Sequence, residues 1–221
     1  MESPQALRWA GYFGVAAAVI YVLATAGGSL LDPTYSQVRQ HVSDLTATGA
    51  ITRDELSPFY LLYNASVIGF AVSLYRFSER TVLFRFATGL LVLNAFAGVM
   101  MVTWLTEDLG GAPTTFAGTG HIVFATVSSL AIVSASILFG FAFRRTPGLR
   151  SMSTFSFAIG AAFVVAAPFA IIATAANSYA GLAERAAIAP FIIWLLVLGA
   201  YAWVKSGQIA DTEPKSRASV A

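Results

Sequence analysis

The sequence contains no cysteine and few charged residues. Asp, Glu, Lys and Arg make up 11% of the 221 residues, against about 25% in a typical soluble domain. The lack of Cys excludes disulfides, thiolate zinc sites and a Cys nucleophile. The formal net charge of +2 is too small to indicate a nucleic-acid partner. Hydrophobic residues are abundant instead, at 57% with a mean hydropathy of +0.72, so the composition predicts an integral membrane protein.

The apolar residues are concentrated in six segments separated by short connections. Each segment is close to the ~20 residues that a helix needs to cross ~30 Å of hydrocarbon. The segments are approximately 9–31, 58–75, 86–105, 120–143, 152–176 and 186–204. They predict one all-α domain over residues 1–205, a polytopic bundle of six transmembrane helices. A polar tail over residues 206–221 is predicted to be disordered.

The first segment also has features of a signal peptide. Arg8 precedes the apolar run, and Ala24-Thr25-Ala26 resembles a cleavage site. The run is longer than the usual ~7–15 apolar residues of a signal peptide. We therefore expect it to be retained as the first span.

Basic residues are unevenly divided between the two ends of the predicted bundle. If the N-terminus is inside, only Arg39, Arg53 and Arg185 of the 13 Lys and Arg lie on the outer side. Cytoplasmic connections of membrane proteins carry an excess of Lys and Arg. The distribution therefore predicts a multi-pass protein of the plasma membrane with both termini in the cytoplasm.

The longest of the predicted outer connections, residues 32–57, has an amphipathic pattern. It begins with Asp32-Pro33, which is typical of a helix start. Apolar residues then recur at three- and four-residue spacing: Tyr35, Val38, Val42 and Leu45. This pattern predicts an interfacial helix over about 33–47. His41 and Asp44, three residues apart, would be neighbours on its surface.

Polar residues of the predicted outer connections form the candidate ligand-binding site. They are His41, Ser43, Asp44, Asp108, His121, Glu184 and Arg185. Three different connections contribute them, and a helical bundle can bring such residues together at one end. Glu107, next to Asp108, is interpreted as a solvated neighbour.

These residues are compatible with more than one function. We expect binding or processing of a lipid or small ligand at the outer leaflet, with membrane lipids as the partners and no cofactor evident from a motif. The alternative is a structural or accessory subunit without catalysis, because each residue can also cap a helix or bond within a turn. The predicted spans carry no charge at mid-membrane, which disfavours a transporter.

Catalysis is a further alternative. His41, Asp108 and His121 are the candidate catalytic residues and the candidate ligands of a divalent metal, since His nitrogen and carboxylate oxygen suit such ions. Metal-activated water would make the protein a transmembrane lipid hydrolase. The chain lacks the His-x-x-x-His pair that such hydrolases typically carry. A His acting on Ser43 without a metal is the other catalytic route.

Short motifs placed in order along the chain resemble one family. They are Ser43-Asp-Leu45, Asp108 after the third segment, Gly120-His121 at the start of the fourth, and Gly181-Leu-Ala-Glu-Arg185 at the start of the sixth. Together they resemble the bacterial and archaeal domain-of-unknown-function 998 family. The resemblance covers nearly the whole chain and implies six spans but no established activity. In that family an aromatic-Pro pair commonly precedes the Asp, where this chain has Trp104-Leu-Thr-Glu107.

Overall fold

The computed structural model describes residues 4–78, 81–110, 113–175 and 179–218, with the backbone alone for part of 167–175 and for 211–218. Within these residues the chain folds into six long helices and no strand. The helices are α1 (Pro4–Leu31), α2 (Arg53–Phe77), α3 (Val82–Thr103), α4 (Phe116–Phe143), α5 (Met152–Ala175) and α6 (Ala180–Ala218). The predicted all-α class is confirmed, and each helix contains most of one predicted span.

Five of the helices are long and apolar enough to cross a membrane. They are α1, α2, α3, α4 and the Ala180–Ala210 part of α6. The described side chains of α5 give a shorter apolar stretch, Met152–Ala166. Large apolar side chains such as Leu23, Phe86 and Leu130 are exposed on the outside of the bundle. Such surfaces suit lipid rather than water, so the fold is that of a multi-pass membrane protein.

The six helices form a closed ring. Each helix packs against its neighbours in sequence, and α1 packs against α6. Aromatic side chains from different helices meet in the interior. Phe139 of α4 lies 5.5 Å from Phe84 of α3 and 5.6 Å from Trp194 of α6, between ring centroids. The buried Trp194 indole donates a hydrogen bond to Ser156 Oγ at 2.9 Å, so its N–H is satisfied within the bundle.

Glycines let α1 and α6 approach closely enough to close the ring. A Cβ atom on Gly14 would lie 2.9 Å from the carbonyl oxygen of Leu195, and one on Gly199 would lie 2.8 Å from the backbone nitrogen of Val15. Neither backbone atom can move without displacing its helix. Small residues at helix contacts are a general means of close packing in membranes.

The predicted interfacial helix over 33–47 is wrong. Residues 32–42 form turns, and a single 3-10 turn follows at Ser43–Thr46. Side chains compete for the backbone groups that a helix would need. Asp32 Oδ1 accepts the amide of Thr34 at 2.8 Å, and Gln40 Oε1 accepts the amide of Ser36 at 2.7 Å. Local bonds of this kind offer the chain an alternative to the helical ladder.

The last helix is longer than predicted. α6 continues to Ala218, so the predicted disordered tail from Ser206 is wrong for residues 206–218. Gln208 and Ala210, which are good helix formers, continue the helix past the last apolar segment. Gly207 and Pro214, which are poor ones, do not end it. Residues 219–221 lie outside the described part.

Candidate functional site

One end of the bundle, called here the polar end, carries the candidate site. It consists of the first loop (32–52), the α3–α4 turn (104–115, of which 111 and 112 are outside the described residues) and the first two turns of α6. The first loop lies between the other two elements and bonds to both. The contacts on its two sides are made by different residues.

On one side, adjacent charged residues of α6 hold the first loop. Arg185 donates through Nη2 to Tyr35 Oη at 2.6 Å and through Nη1 to the carbonyl of Gln40 at 3.2 Å. Glu184 Oε2 accepts the backbone amide of Val42 at 2.5 Å. Gly181 lies against the loop so closely that a Cβ atom there would collide with the carbonyl of Gln40. The contact between the first loop and α6 therefore explains the Gly181-x-x-Glu184-Arg185 pattern, since all three residues contact the loop.

On the other side, the first loop pairs with the α3–α4 turn. The amide of Thr48 donates to the carbonyl of Glu107 at 3.1 Å, and the hydroxyls of Thr48 and Thr106 are 2.6 Å apart. His41 Nδ1 lies 3.1 Å from Glu107 Oε1. Glu107 is only 9% exposed. Its interpretation as a solvated neighbour of Asp108 is therefore wrong.

Glu107 and Asp108 are adjacent in the chain but have different partners. An isolated bridge joins Thr48 to Asp108 and pairs this turn with the first loop. The buried side chains of Thr106 and Glu107 both contact the first loop. Sequence reasoning missed Glu107 and also Tyr35. No local pattern in the sequence distinguishes Glu107 from its neighbour Asp108.

His41 and Glu107 form an ion pair at neutral pH. The hydrogen bond with Glu107 raises the pKa of His41 to about 9, against the opposing effect of burial, with help from the charges of Glu184 and Asp44. Burial alone would raise the pKa of Glu107. The hydrogen bond with His41 outweighs it and lowers that pKa, with further contributions from the nearby Ser43 hydroxyl and from His121.

Asp44 contacts the backbone of His41. Its Oδ2 accepts the backbone amide of His41 at 2.9 Å. Burial raises the pKa of Asp44, and the negative charge of Glu107 acts in the same direction. The two carboxylates therefore lie close enough to repel one another. Asp44 Oδ1 and Glu107 Oε2 are both buried without a hydrogen-bond partner in the described part of the protein.

We call this group of residues the acid–base cluster. It comprises His41, Asp44, Glu107, Glu184 and Arg185. It unites four of the seven predicted site residues with Glu107. A fifth predicted residue, Ser43, lies beside Glu107.

The remaining two predicted residues, Asp108 and His121, have local partners. Asp108 accepts the amides of Thr114 and Thr115 at 2.7 and 2.8 Å and the Thr115 hydroxyl at 2.7 Å. These bonds, led by the Thr115 hydroxyl, lower the pKa of Asp108 to about 2. His121 Nδ1 lies 2.9 Å from the carbonyl oxygen of Leu105. Both residues organise the entry into α4, where the Thr115 side chain caps the helix.

The metal alternative gains no support from this arrangement. Among the described residues, no group of three or more His, Asp and Glu is placed to hold a metal ion. His41 and His121, two of the candidate ligands, are bonded to Glu107 and to the Leu105 carbonyl, respectively. Both histidines of the polar end are thus engaged in hydrogen bonds with protein groups.

Fold and site together define a multi-pass α-helical membrane protein with a buried acid–base cluster at one end. The sequence profile described as "Protein of unknown function (DUF998)" matches residues 15–201, and the chain belongs to that family. The match extends from α1 into α6 and includes the whole cluster. Comparisons with curated proteins and with solved structures found no match.

Proposed function

We propose that the acid–base cluster binds the positively charged group of a lipid headgroup or small molecule at the outer leaflet of the plasma membrane. The observation that carries the proposal is the pair of buried oxygens, Asp44 Oδ1 and Glu107 Oε2, that lack hydrogen-bond partners. An unsatisfied buried carboxylate oxygen is costly, and a charged N–H donor is its strongest partner. A primary ammonium group supplies up to three such donors.

The charge of the cluster supports a cationic ligand. Asp44 and Glu107 place two carboxyl groups beside the single imidazole of His41. With all three ionised, this part of the cluster carries one excess negative charge. Buried charges are tolerated when they are paired, so an incoming ammonium would balance the site. The cluster also lies where the helices end, and in the proposed orientation this end of the bundle would meet the lipid headgroups.

A structural role is the second candidate, and a specific observation favours it. Glu184 and Arg185 bond to backbone or side-chain groups of the first loop, which they hold on α6. These two residues would fulfil that task with no ligand present. The binding proposal therefore depends on Asp44 and Glu107 and makes no use of Glu184 and Arg185 beyond positioning the loop.

The test compares lipid binding by the full chain in nanodiscs. Phosphatidylethanolamine is the amine probe, phosphatidylglycerol the lipid without an amine, and free ethanolamine the headgroup without chains. We expect Asp44→Asn and Glu107→Gln each to weaken phosphatidylethanolamine binding about tenfold, because each removes a charge-assisted bond. Asp54→Asn, at an exposed acid in the first turn of α2, is the matched control and should bind as wild type.

The outcomes separate the two candidates. Wild-type binding by folded Asp44→Asn and Glu107→Gln proteins would rule out the amine site. A wild-type protein that shows no preference for phosphatidylethanolamine, together with variants that lose thermal stability, would favour the structural role. Competition by free ethanolamine would indicate that the charged group alone is recognised, and its failure would indicate a whole lipid.

A further inference from the structure

A groove lies at the end of the bundle opposite the polar end. It has a volume of about 490 Å³ and opens between the start of α3 and the end of α4. Its volume lies within the ~300–1,000 Å³ range of small-molecule sites. It is lined by Thr81, Val82, Leu83, Phe84, Phe86, Leu138, Ala142, Arg145 and Thr146. The acid–base cluster contributes none of these residues.

The groove is open on the side that faces lipid. Val82 and Phe86 form its outer wall and are each 66% exposed. Phe84 and Ala142 are buried and form its inner wall. Because α3 begins at Val82, the groove starts at the membrane edge and continues toward the hydrocarbon. Its walls therefore suit an acyl chain that enters beside α3.

Arg145 supplies a positive charge at the mouth of the groove. No ion pair of Arg145 occurs in the described part of the chain. Its neighbour Arg144 is placed differently, with its guanidinium carbon 4.9 Å from the centre of the Phe157 ring and 5.8 Å from that of Phe141. The adjacent arginines thus differ in position, and only Arg145 lines the groove.

We propose that this groove binds an anionic phospholipid, with the phosphate at Arg145 and one acyl chain along Val82, Phe86 and Leu138. The charge of Arg145 complements a phosphate, and the apolar walls complement the chain. Basic pockets between transmembrane helices are a general means of holding anionic headgroups. The Thr81 hydroxyl lies at the same mouth, where its oxygen accepts the Phe84 amide at 3.3 Å, and its O–H can donate to a phosphate oxygen.

The proposal can be tested by native mass spectrometry. The full chain is released from nanodiscs that contain equal amounts of phosphatidylglycerol and phosphatidylcholine. The measured quantity is the ratio of the two lipids that stay bound. We expect Arg145→Gln to reduce the phosphatidylglycerol preference about fivefold, the effect of one basic residue near an anionic surface. Arg145→Lys should keep most of it. Arg144→Gln is the matched control and should keep the wild-type ratio, as should Asp54→Asn at the polar end.

Equal losses of phosphatidylglycerol preference in Arg144→Gln and Arg145→Gln would overturn the groove as a site. They would show that the basic end of the bundle attracts anionic lipids in general. An unchanged ratio in folded Arg145→Gln protein would overturn it as well. Glycerol phosphate, which has the headgroup chemistry without chains, should not displace the bound lipid at millimolar concentration. Displacement would show a free-anion site in place of a lipid groove.

Discussion

His41 Nδ1 and Glu107 Oε1 are 3.1 Å apart, although 66 positions separate the two residues in the chain. Their pairing joins the first loop to the α3–α4 turn, while Glu184 and Arg185 join the same loop to α6. The first loop is therefore held from both sides by charged groups. We therefore expect the stability of the polar end to depend on pH, through the His41–Glu107 pair, and on the close packing of the first loop against α6.

The first prediction concerns the stability of the protein at alkaline pH. The bond with Glu107 raises the pKa of His41 to about 9 in the folded protein, from 6.5 in an unfolded chain. The stabilisation is complete below about pH 6.5 and is lost as the pH rises through 9. We expect the unfolding temperature in detergent to fall across this window, by the equivalent of ~1–2 kcal/mol after solvent screening.

Removal of the titrating group should abolish this trend. His41→Gln and Glu107→Gln are each expected to lower the unfolding temperature at pH 6.5 and to flatten its decline toward pH 9. A decline of wild-type steepness in His41→Gln would show that another group titrates in the window, and the ion pair would then not be its source.

The second prediction concerns the fit of the first loop on α6. A side chain at Gly181 would collide with the carbonyl of Gln40, so Gly181→Ala should destabilise the protein by about 1–3 kcal/mol. Gly27→Ala is the matched control, because a Cβ atom there meets nothing within 4 Å. Ala is favoured over Gly within a helix, so the control should be neutral or slightly stabilising. Equal unfolding temperatures for the two variants would contradict the close approach.

The third prediction assigns Asp108 to folding. Asp108→Ala removes the acceptor of the Thr114 and Thr115 amides and should lower the unfolding temperature. Asp108→Asn keeps one acceptor oxygen and should lower the unfolding temperature by a smaller amount. Both variants should bind phosphatidylethanolamine as the wild type does. Loss of that binding in stable Asp108→Asn protein would place Asp108 in the ligand site after all. Because the pKa of Asp108 is lowered from 3.8 to about 2, its contribution should be complete above about pH 4 and be lost as the pH falls from there through 2.

The fourth prediction concerns orientation. The chain has no native Cys, so single Cys residues can be labelled without background. Ile51 at the polar end is 69% exposed, and Gly207 of α6 has open space for a side chain. In intact cells, a membrane-impermeant maleimide should label Ile51→Cys and should reach Gly207→Cys only after permeabilisation. The reverse pattern would place the acid–base cluster in the cytoplasm and remove the outer-leaflet proposal.

The helices were largely predictable because a membrane span is a local property. A run of ~20 apolar residues satisfies its backbone within one helix, whatever surrounds it. The predicted ends at Leu31 and Phe143 coincide with those of α1 and α4. The first loop was not predictable in this way. Its periodicity favoured a helix, but Asp32 and Gln40 accept nearby backbone amides in competition with the helical ladder. Gln37 donates to the Thr25 carbonyl of α1, which only the fold brings within reach.

The candidate site was predictable in part. The sequence by itself determined a helical membrane protein with its acids and histidines concentrated at one end, because composition and span order follow from local residues alone. Tertiary structure decided which of them meet. It placed Glu107 against His41 and Asp108 against the amides of Thr114 and Thr115, because each carboxylate is bound by the donors that the packing of the first loop and of the entry to α4 brings within hydrogen-bond distance. No local pattern distinguishes two neighbouring acids, whereas a partner 66 positions away does.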